Sequence, residues 1–408
     1  MEIGFAEALL LVGLLLAVGA ALSGWLRGTV LSISVLSVGA GIALALTDVV
    51  SIDAGDAGVV EMVELALILT LFSDGLVVER ELLRLHWSAP VRAIAVAMPI
   101  TLVLLAVAAK LVLPELSWAE AFLLGAVLSP TDPVVTSTVV TARRLPEFLR
   151  HALNLESGLN DGLALPFVLF FLVLSTPGGD AGGEAVSLLG ETAMGALIGV
   201  ALGLLGGGML PRLPGGGIAR RYEGLYAFGL GLTAFGLADL TIGNGLIAAF
   251  VAGVALAAAE HDIPEASVGF SENVSAIFQV VTLTVFGALI VSTGYDSSLW
   301  PLLAFIPFAL LVARPLAIWL AFARTDIPRA QRLFMAWFGP KGVASILFAL
   351  FVLESQAPER SLVFDVASFV ILASITAHGL TDTLGARWLE RRLGKDEPGG
   401  DGATRPRD

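Results

Sequence analysis

Ser129-Pro130-Thr131-Asp132-Pro133 interrupts one long apolar run, and Gly339-Pro340-Lys341-Gly342 interrupts another far along the chain. Each insert carries one charged residue beside proline. Proline removes a backbone donor and disturbs the turn before it. A helix broken in this way inside an apolar medium must have its loose backbone groups satisfied by protein, water or ions. The two inserts therefore predict a pair of broken membrane helices, each with a charge at the break.

The surrounding composition supports a membrane setting. The chain has 408 residues, 56% hydrophobic and 14% charged, against about 25% charged for an ordinary soluble domain. Such a chain has too few polar groups to clothe a soluble surface of this size. Its apolar residues come in blocks such as residues 5–22, 89–113 and 301–322, long enough to span a bilayer. Repetition of these blocks excludes a signal peptide as their general explanation. The first block lacks a basic leader and is read as a retained helix.

Several functions are excluded early. The chain has no cysteine, so thiol catalysis and thiolate metal sites are out. Its four histidines, His86, His151, His261 and His378, show no metal-ligand spacing. A net charge of −13 argues against nucleic acid as a partner. Gly229-Leu230-Gly231 sits in an apolar run and reads as helix packing. Gly339 to Gly342 lacks the spacing of a phosphate loop. His378 is assigned to helix packing rather than a proton relay.

Breaks at charged, glycine and proline clusters divide the chain into about thirteen spans. Basic residues gather after the odd-numbered spans, as at Arg80 and Arg84, Arg143 and Arg144, Arg220 and Arg221, and Arg324, Arg329 and Arg332. Acidic residues gather after the even-numbered ones, as at Asp53 and Asp56, Glu115 and Glu120, and Glu354 and Glu359. The positive-inside rule then puts the N-terminus outside and the C-terminus in the cytoplasm. Six spans, a linker span and six more give two units in opposite orientation, the inverted repeat of many secondary transporters. The two interrupted spans, 119–141 and 330–353, are the fifth and twelfth. They are corresponding members of the two units. The fold expected is an all-α integral membrane protein with inverted six-helix repeats and crossing broken helices.

Charges at the bilayer centre cost roughly 2.5–3.5 kcal/mol each and are read as functional. The deep ones are Asp132, Glu156, Asp161, Arg314 and Lys341; Asp74 and Asp239 are placed nearer helix ends. In the sixth span, Ser157 and Asp161 share one helical face, while Glu156 and Asn160 share a neighbouring one. Two carboxylates pointing in different directions suggest two roles. A buried Arg314 needs a carboxylate, and Glu156 is the natural one. Where two broken helices cross, like ends face each other. Asp132 can neutralise the N-terminal ends and Lys341 the C-terminal ends.

At Ser129 to Pro133, Leu155 to Gly162, Ala313-Arg314-Pro315 and Gly339 to Ala344, the sequence resembles the electroneutral sodium/proton antiporters of the cation:proton antiporter superfamily. It is similar to bacterial and archaeal members of the monovalent cation:proton antiporter 1 family. Phe72-Ser73-Asp74-Gly75-Leu76 also looks like a family feature. The resemblance implies one transmembrane unit over residues 1–391, with a core domain from residues 90–174 and 300–386. A dimerisation domain would come from residues 1–79 and 186–293, with 392–408 as a short disordered cytoplasmic tail. It implies a homodimer in the cell membrane, with lipid, monovalent cations and protons as partners and no cofactor. By similarity, Asp161 and Asp132 would bind the transported sodium ion or proton, helped by Ser157 and Thr131. Asn160 would orient the site, and the Asn160-Asp161 pair looks like the mark of the electroneutral branch. Glu156 would pair with Arg314. Many relatives have an arginine where this chain has Lys341.

The function expected is exchange of Na+ (or Li+) for H+, one for one, by alternating access. A potassium/proton antiporter is the nearest rival, because the same carboxylates serve either ion. A channel lacks its carbonyl-lined filter segment here. An intramembrane aspartyl protease would use Asp132 and Asp161, but its Gly-x-Gly-Asp motif is absent.

Overall fold

The computed structural model describes residues 5–26, 33–47, 52, 57–77, 91–132, 146–177, 181–209, 222–259, 265–293 and 299–396. All regular structure among them is helical. The helices are α1 (Phe5–Leu26), α2 (Ile33–Leu46), α3 (Ala57–Val77), α4 (Met98–Val112), α5 (Trp118–Val127), α6 (Glu147–Ser175), α7 (Ala181–Met209), α8 (Glu223–Asp239), α9 (Gly245–Ala259) and α10 (Glu265–Thr293). After them come α11 (Leu299–Phe308), α12 (Arg314–Ala321), α13 (Arg329–Trp337), α14 (Val343–Glu354) and α15 (Arg360–Asp396). Helix lies within every span expected from the sequence. Six described helical stretches are long and apolar enough by themselves to cross a membrane. The turn at residues 240–244 separates α8 from α9. The last helix continues to Asp396, beyond the 386 expected for the final span.

Two wide π turns carry a repeat signature. Ala93–Ala97 precedes Met98-Pro99 at the start of α4, and Ala309–Ala313 precedes Arg314-Pro315 at the start of α12. Proline cannot donate to the turn before it, and a π turn absorbs the mismatch in the ladder. These turns fall in the fourth and eleventh spans, again seven apart. The same local solution therefore recurs at matching positions of the two units.

Glycine decides how tightly one group of helices packs. α2 crosses α10 where Gly41 meets the Thr284 carbonyl and Gly287 meets the Val38 carbonyl, with no room for a Cβ on either side. α3 crosses α9 at Gly75, where a Cβ would lie 2.5 Å from the Phe250 carbonyl oxygen. On α7, Gly199 and Gly203 face the carbonyls of Ala248 and Ala252 at 2.5 and 2.6 Å from the same imagined atom. Between apolar helices in lipid, close backbone approach supplies the attraction that the hydrophobic effect supplies in water. These contacts join α2 to α10 and both α3 and α7 to α9, and α3 also packs on α10, so the five helices form one group.

A second group forms around the two breaks. α4 packs on α5, α5 on α6, α12 on α13, and α14 on α15. One end of it is tied by Glu120. Ser117 and Glu120 form a reciprocal cap at the start of α5, and Glu120 Oε1 also accepts the Glu359 backbone N–H at 2.8 Å. One buried carboxylate thus joins the starts of α5 and α15, with a cap worth about 1 kcal/mol. The two groups meet through small residues of α6. Gly158 lies against Asp74 of α3, and Gly162 against the ring of Phe250 on α9.

Candidate functional site

α5 stops at Val127, and the chain continues without helix through Pro130, Thr131 and Asp132. α13 stops at Trp337, and Phe338 to Gly342 are likewise non-helical before α14 begins. The two breaks are pinned to each other, because the Asp132 N–H donates to the Pro340 carbonyl at 2.8 Å. Pro133 lies outside the described residues.

Each charge at a break serves the opposite chain. Lys341 Nζ donates to the carbonyls of Pro130 at 3.0 Å and Ser129 at 3.5 Å, which the broken α5 leaves without helical partners. Asp132 Oδ2 accepts the first free N–H of α14, from Val343, at 3.3 Å. A cation on carbonyl ends and an anion on N–H ends complement the two helix dipoles. Both charged residues are at most 4% exposed.

The two glycines of the second break have one cause. A Cβ at Gly342 would fall on the Asp132 carboxylate, and a Cβ at Gly339 would fall on the Arg314 guanidinium. The motif is glycine-rich because buried charged side chains lie against its backbone.

Arg314 opens α12 and reaches α6. Its Nη2 sits 2.7 Å from Glu156 Oε1, and near the Met335 and Phe338 carbonyls at the end of α13. The guanidinium therefore bridges α6, α12 and α13. Glu156 is fully engaged at one oxygen; the other has no hydrogen-bond donor among the described residues.

Asn160 and Asp161 lie on α6 beside the first break. Asn160 Nδ2 donates to Thr131 Oγ1 at 2.7 Å, which ties α6 to the interrupted segment. Asn160 Oδ1 and Asp161 Oδ1 are buried and receive no hydrogen bond among the described residues. Asp161 feels the negative charges of Asp74 and Asp132 and the positive charge of Lys341. The backbone of Ser157 is in α6, but its side chain lies outside the described residues. Of the expected site residues, the structure brings together Thr131, Asp132, Asn160, Asp161 and Lys341. The Glu156–Arg314 pair sits one helical face away.

Three residues near this centre were not singled out for it by the sequence. Asp74 is near the end of described α3, yet it packs on Gly158, one turn from Asp161. Gln279 of α10 donates its amide to Asp132 Oδ2 at 3.0 Å. His378 stacks on Trp337 and makes contacts with the carbonyls of Trp337 and Ser374 at 2.8 and 2.7 Å. Ser374, in turn, accepts the Lys341 N–H at 3.0 Å. His378 thus buttresses the second break from α15. A count of charges alone overlooks Gln279; a lone carboxamide in an apolar span is the signal that finds it.

A buried cluster of carboxylates, with acceptor oxygens short of donors at a double helix break, is suited to hold a small cation or a proton. Comparison with known proteins gives the same direction. The chain is 25% identical over 335 residues to the K(+)/H(+) antiporter NhaP of Alkalimonas amylolytica, covering 81% of this chain and 58% of that protein. It is 27% identical over 286 residues to the K(+)/H(+) antiporter NhaP2 of Shewanella oneidensis, covering 68% of this chain and 49% of that one. The chain thus spans about half the length of the curated relatives it matches. In fold it is similar to the sodium proton antiporter MjNhaP1 from Methanocaldococcus jannaschii, with a TM-score of 0.77, 20% identity and coverage of 95% of this chain and 99% of that chain. The model of the family described as "Sodium/hydrogen exchanger, transmembrane" matches residues 11–384, and the chain belongs to that family.

Proposed function

We propose that this protein exchanges a monovalent cation for protons across the cell membrane, with Na+ (or Li+) as the cation and one proton moved per ion. One observation carries the reading. Asp161 Oδ1 and Asn160 Oδ1 are buried acceptors that receive no hydrogen bond among the described residues, in a cluster that also holds Asp132 and Asp74. Buried polar atoms are normally satisfied. A proton on Asp161 or a cation held beside it satisfies the carboxylate, and the two compete for one place.

Coupling follows from charge. Moving an ionised, unpaired carboxylate through a dry barrier costs several kcal/mol. Asp161 crosses readily only when a proton or a cation neutralises it. Asp132 is balanced in place by the N-terminal end of α14, and Asn160 carries no charge, so one titrating carboxylate gives one-for-one exchange. Asp161 and Asp132 are the principal ligands, with Thr131, Ser157 and Asp74 as further oxygen donors. Asn160 holds the interrupted segment, Glu156 and Arg314 brace it, and Lys341 compensates the broken ends.

The group around the breaks, α4–α6 with α11–α15, is the moving core. The glycine-welded group, α2, α3 and α7–α10, is the stationary part and carries the homodimer contact. The termini follow the charge alternation, outside for the first and cytoplasmic for the last. Exchange of K+ for H+ is the second reading. It is favoured by the two relatives named as K(+)/H(+) antiporters.

The test is decay of ΔpH in proteoliposomes on addition of NaCl, LiCl, KCl or choline chloride, with Asp161→Asn as control. Collapse by sodium or lithium alone, silent in the variant, supports the first reading. Equal response to potassium moves the assignment to the second. No response to any cation sinks antiport.

A further inference from the structure

Gln279 lies in the described apolar stretch Asn273–Ser292 of α10, and it is 7% exposed. Its side chain leaves the glycine-welded group and reaches into the break, where Nε2 donates to Asp132 Oδ2 at 3.0 Å. A carboxamide is two groups in one plane. Turned one way it is a donor to a carboxylate; turned by half a rotation about its last torsion it presents a carbonyl oxygen instead. A second observation lies on the same helical face, three residues on. Thr282 is fully buried, and its hydroxyl finds no hydrogen-bond partner among the described residues. Its neighbour Thr284, by contrast, donates to the Val280 carbonyl at 2.8 Å. α10 therefore carries a neutral amide and a neutral hydroxyl on one face, and the amide touches the cation-site carboxylate.

We propose that Gln279 is a specificity-determining residue, which donates to Asp132 when no cation is bound there and turns its carbonyl oxygen to the cation that Asp132 holds. This rests on the cation-exchange reading above. Selectivity among monovalent cations depends on the number and field strength of the oxygens that replace the hydration shell. A neutral carbonyl adds a ligand of weak field. It favours the larger, more easily dehydrated ion, whereas carboxylates alone favour the smaller one. Gln279 thereby tempers a site otherwise built from acids. Because it belongs to the group of helices opposite the breaks, this ligand is also available only where the two groups meet at Asp132.

The experiment uses the full chain, purified and reconstituted, with apparent KM measured for Na+, Li+ and K+ by ΔpH decay. Gln279→Met keeps the length and removes both donor and acceptor. Gln279→Glu replaces a weak-field oxygen by a strong-field one. Both variants are expected to shift the ratio of the sodium to the potassium KM toward sodium by fivefold or more. A ratio that stays at the wild-type value, whether or not turnover falls, overturns the proposal, as does a shift toward potassium. A merely structural role moves all cations by one factor. If Gln279→Met does not yield folded protein, Gln279→Glu decides alone. Thermal stabilisation of the purified protein by NaCl against KCl reads the same ratio without transport. If wild type moves no protons with any cation, the antiport reading fails. Gln279 is then judged by that stabilisation ratio, and an equal ratio in wild type and variants overturns it.

Discussion

Breaking the Glu156–Arg314 pair tests whether it braces the site rather than serving as part of it. Arg314 Nη2 lies 2.7 Å from Glu156 Oε1, and both side chains are at most 10% exposed. Removing one partner of a buried pair costs about 3–5 kcal/mol, because the other charge is left without compensation. Glu156→Gln keeps an oxygen for the guanidinium, and Arg314 retains the α13 carbonyls at 3.4 and 3.5 Å. Its cost belongs at the low end, about 3 kcal/mol. Arg314→Met strands an anionic Glu156 and belongs at the high end, about 5 kcal/mol.

Soluble-protein scaling gives an unfolding entropy of about 0.9 kcal/mol per degree for 408 residues. The single variants should then lose about 4 and 6 °C of melting temperature in detergent. These are lower bounds, because helices that persist after denaturation in detergent reduce the entropy change. Combining the two substitutions removes both charges, so the double variant should melt no lower than Arg314→Met alone. Glu156→Gln should also retain cation-dependent proton movement, in contrast to Asp161→Asn. Additive losses in the double variant would refute the pairing argument. Complete loss of exchange in folded Glu156→Gln would refute the division between bracing and binding residues.

Asp161→Asn should abolish exchange and leave the melting temperature equal to or above wild type, since it removes a buried carboxylate oxygen with no described donor; a fall of several degrees contradicts this. Lys341→Met should cost about 1.5–3 kcal/mol in detergent melting, the value of charged hydrogen bonds, because the Pro130 carbonyl loses its donor at 3.0 Å. Gly342→Ala should eliminate exchange, since the new Cβ displaces the Asp132 carboxylate; transport at the wild-type rate would contradict the geometry. Gly41→Ala, far from the site, should instead destabilise by about 1–3 kcal/mol through separation of α2 from α10, and its cation KM values should stay at wild type.

The proposed mechanism places each charge by its neighbours. Asp132 and Lys341 each complement a helix end on the opposite break, through the Val343 N–H and the Pro130 carbonyl, so both are held in place by the break itself. Asp161 Oδ1 has no hydrogen-bond donor among the described residues, and that difference is why the exchange role is proposed for it. The contact of Gly158 and Gly162 with α3 and α9 gives the two groups of helices a smooth face at the level of the site. A larger residue at either position would lock that face against its neighbour.

Membrane residence, the helical class and the positions of the two breaks were legible in the sequence. They depend on local quantities: apolar run length, charge spacing, and proline beside charge. The five deep charges could be found for the same reason, since a charge in an apolar run is conspicuous wherever the chain goes. Pairing was partly legible, because a buried arginine must find an acid and few were available. Three matters needed the tertiary structure. The approach of Gln279 to Asp132 joins residues 147 apart in sequence, and a neutral side chain leaves no charge imbalance to reveal it. Asp74 sits near a described helix end in the sequence, and only the packing of α3 on α6 puts it beside Gly158. The glycines at 339 and 342 read locally as breakers, but their reason is the pair of buried side chains from α12 and from the first break that lie against them. Local chemistry fixes where a membrane chain spans and breaks; which groups meet at the break is decided by helix packing, because helices distant in sequence supply the partners.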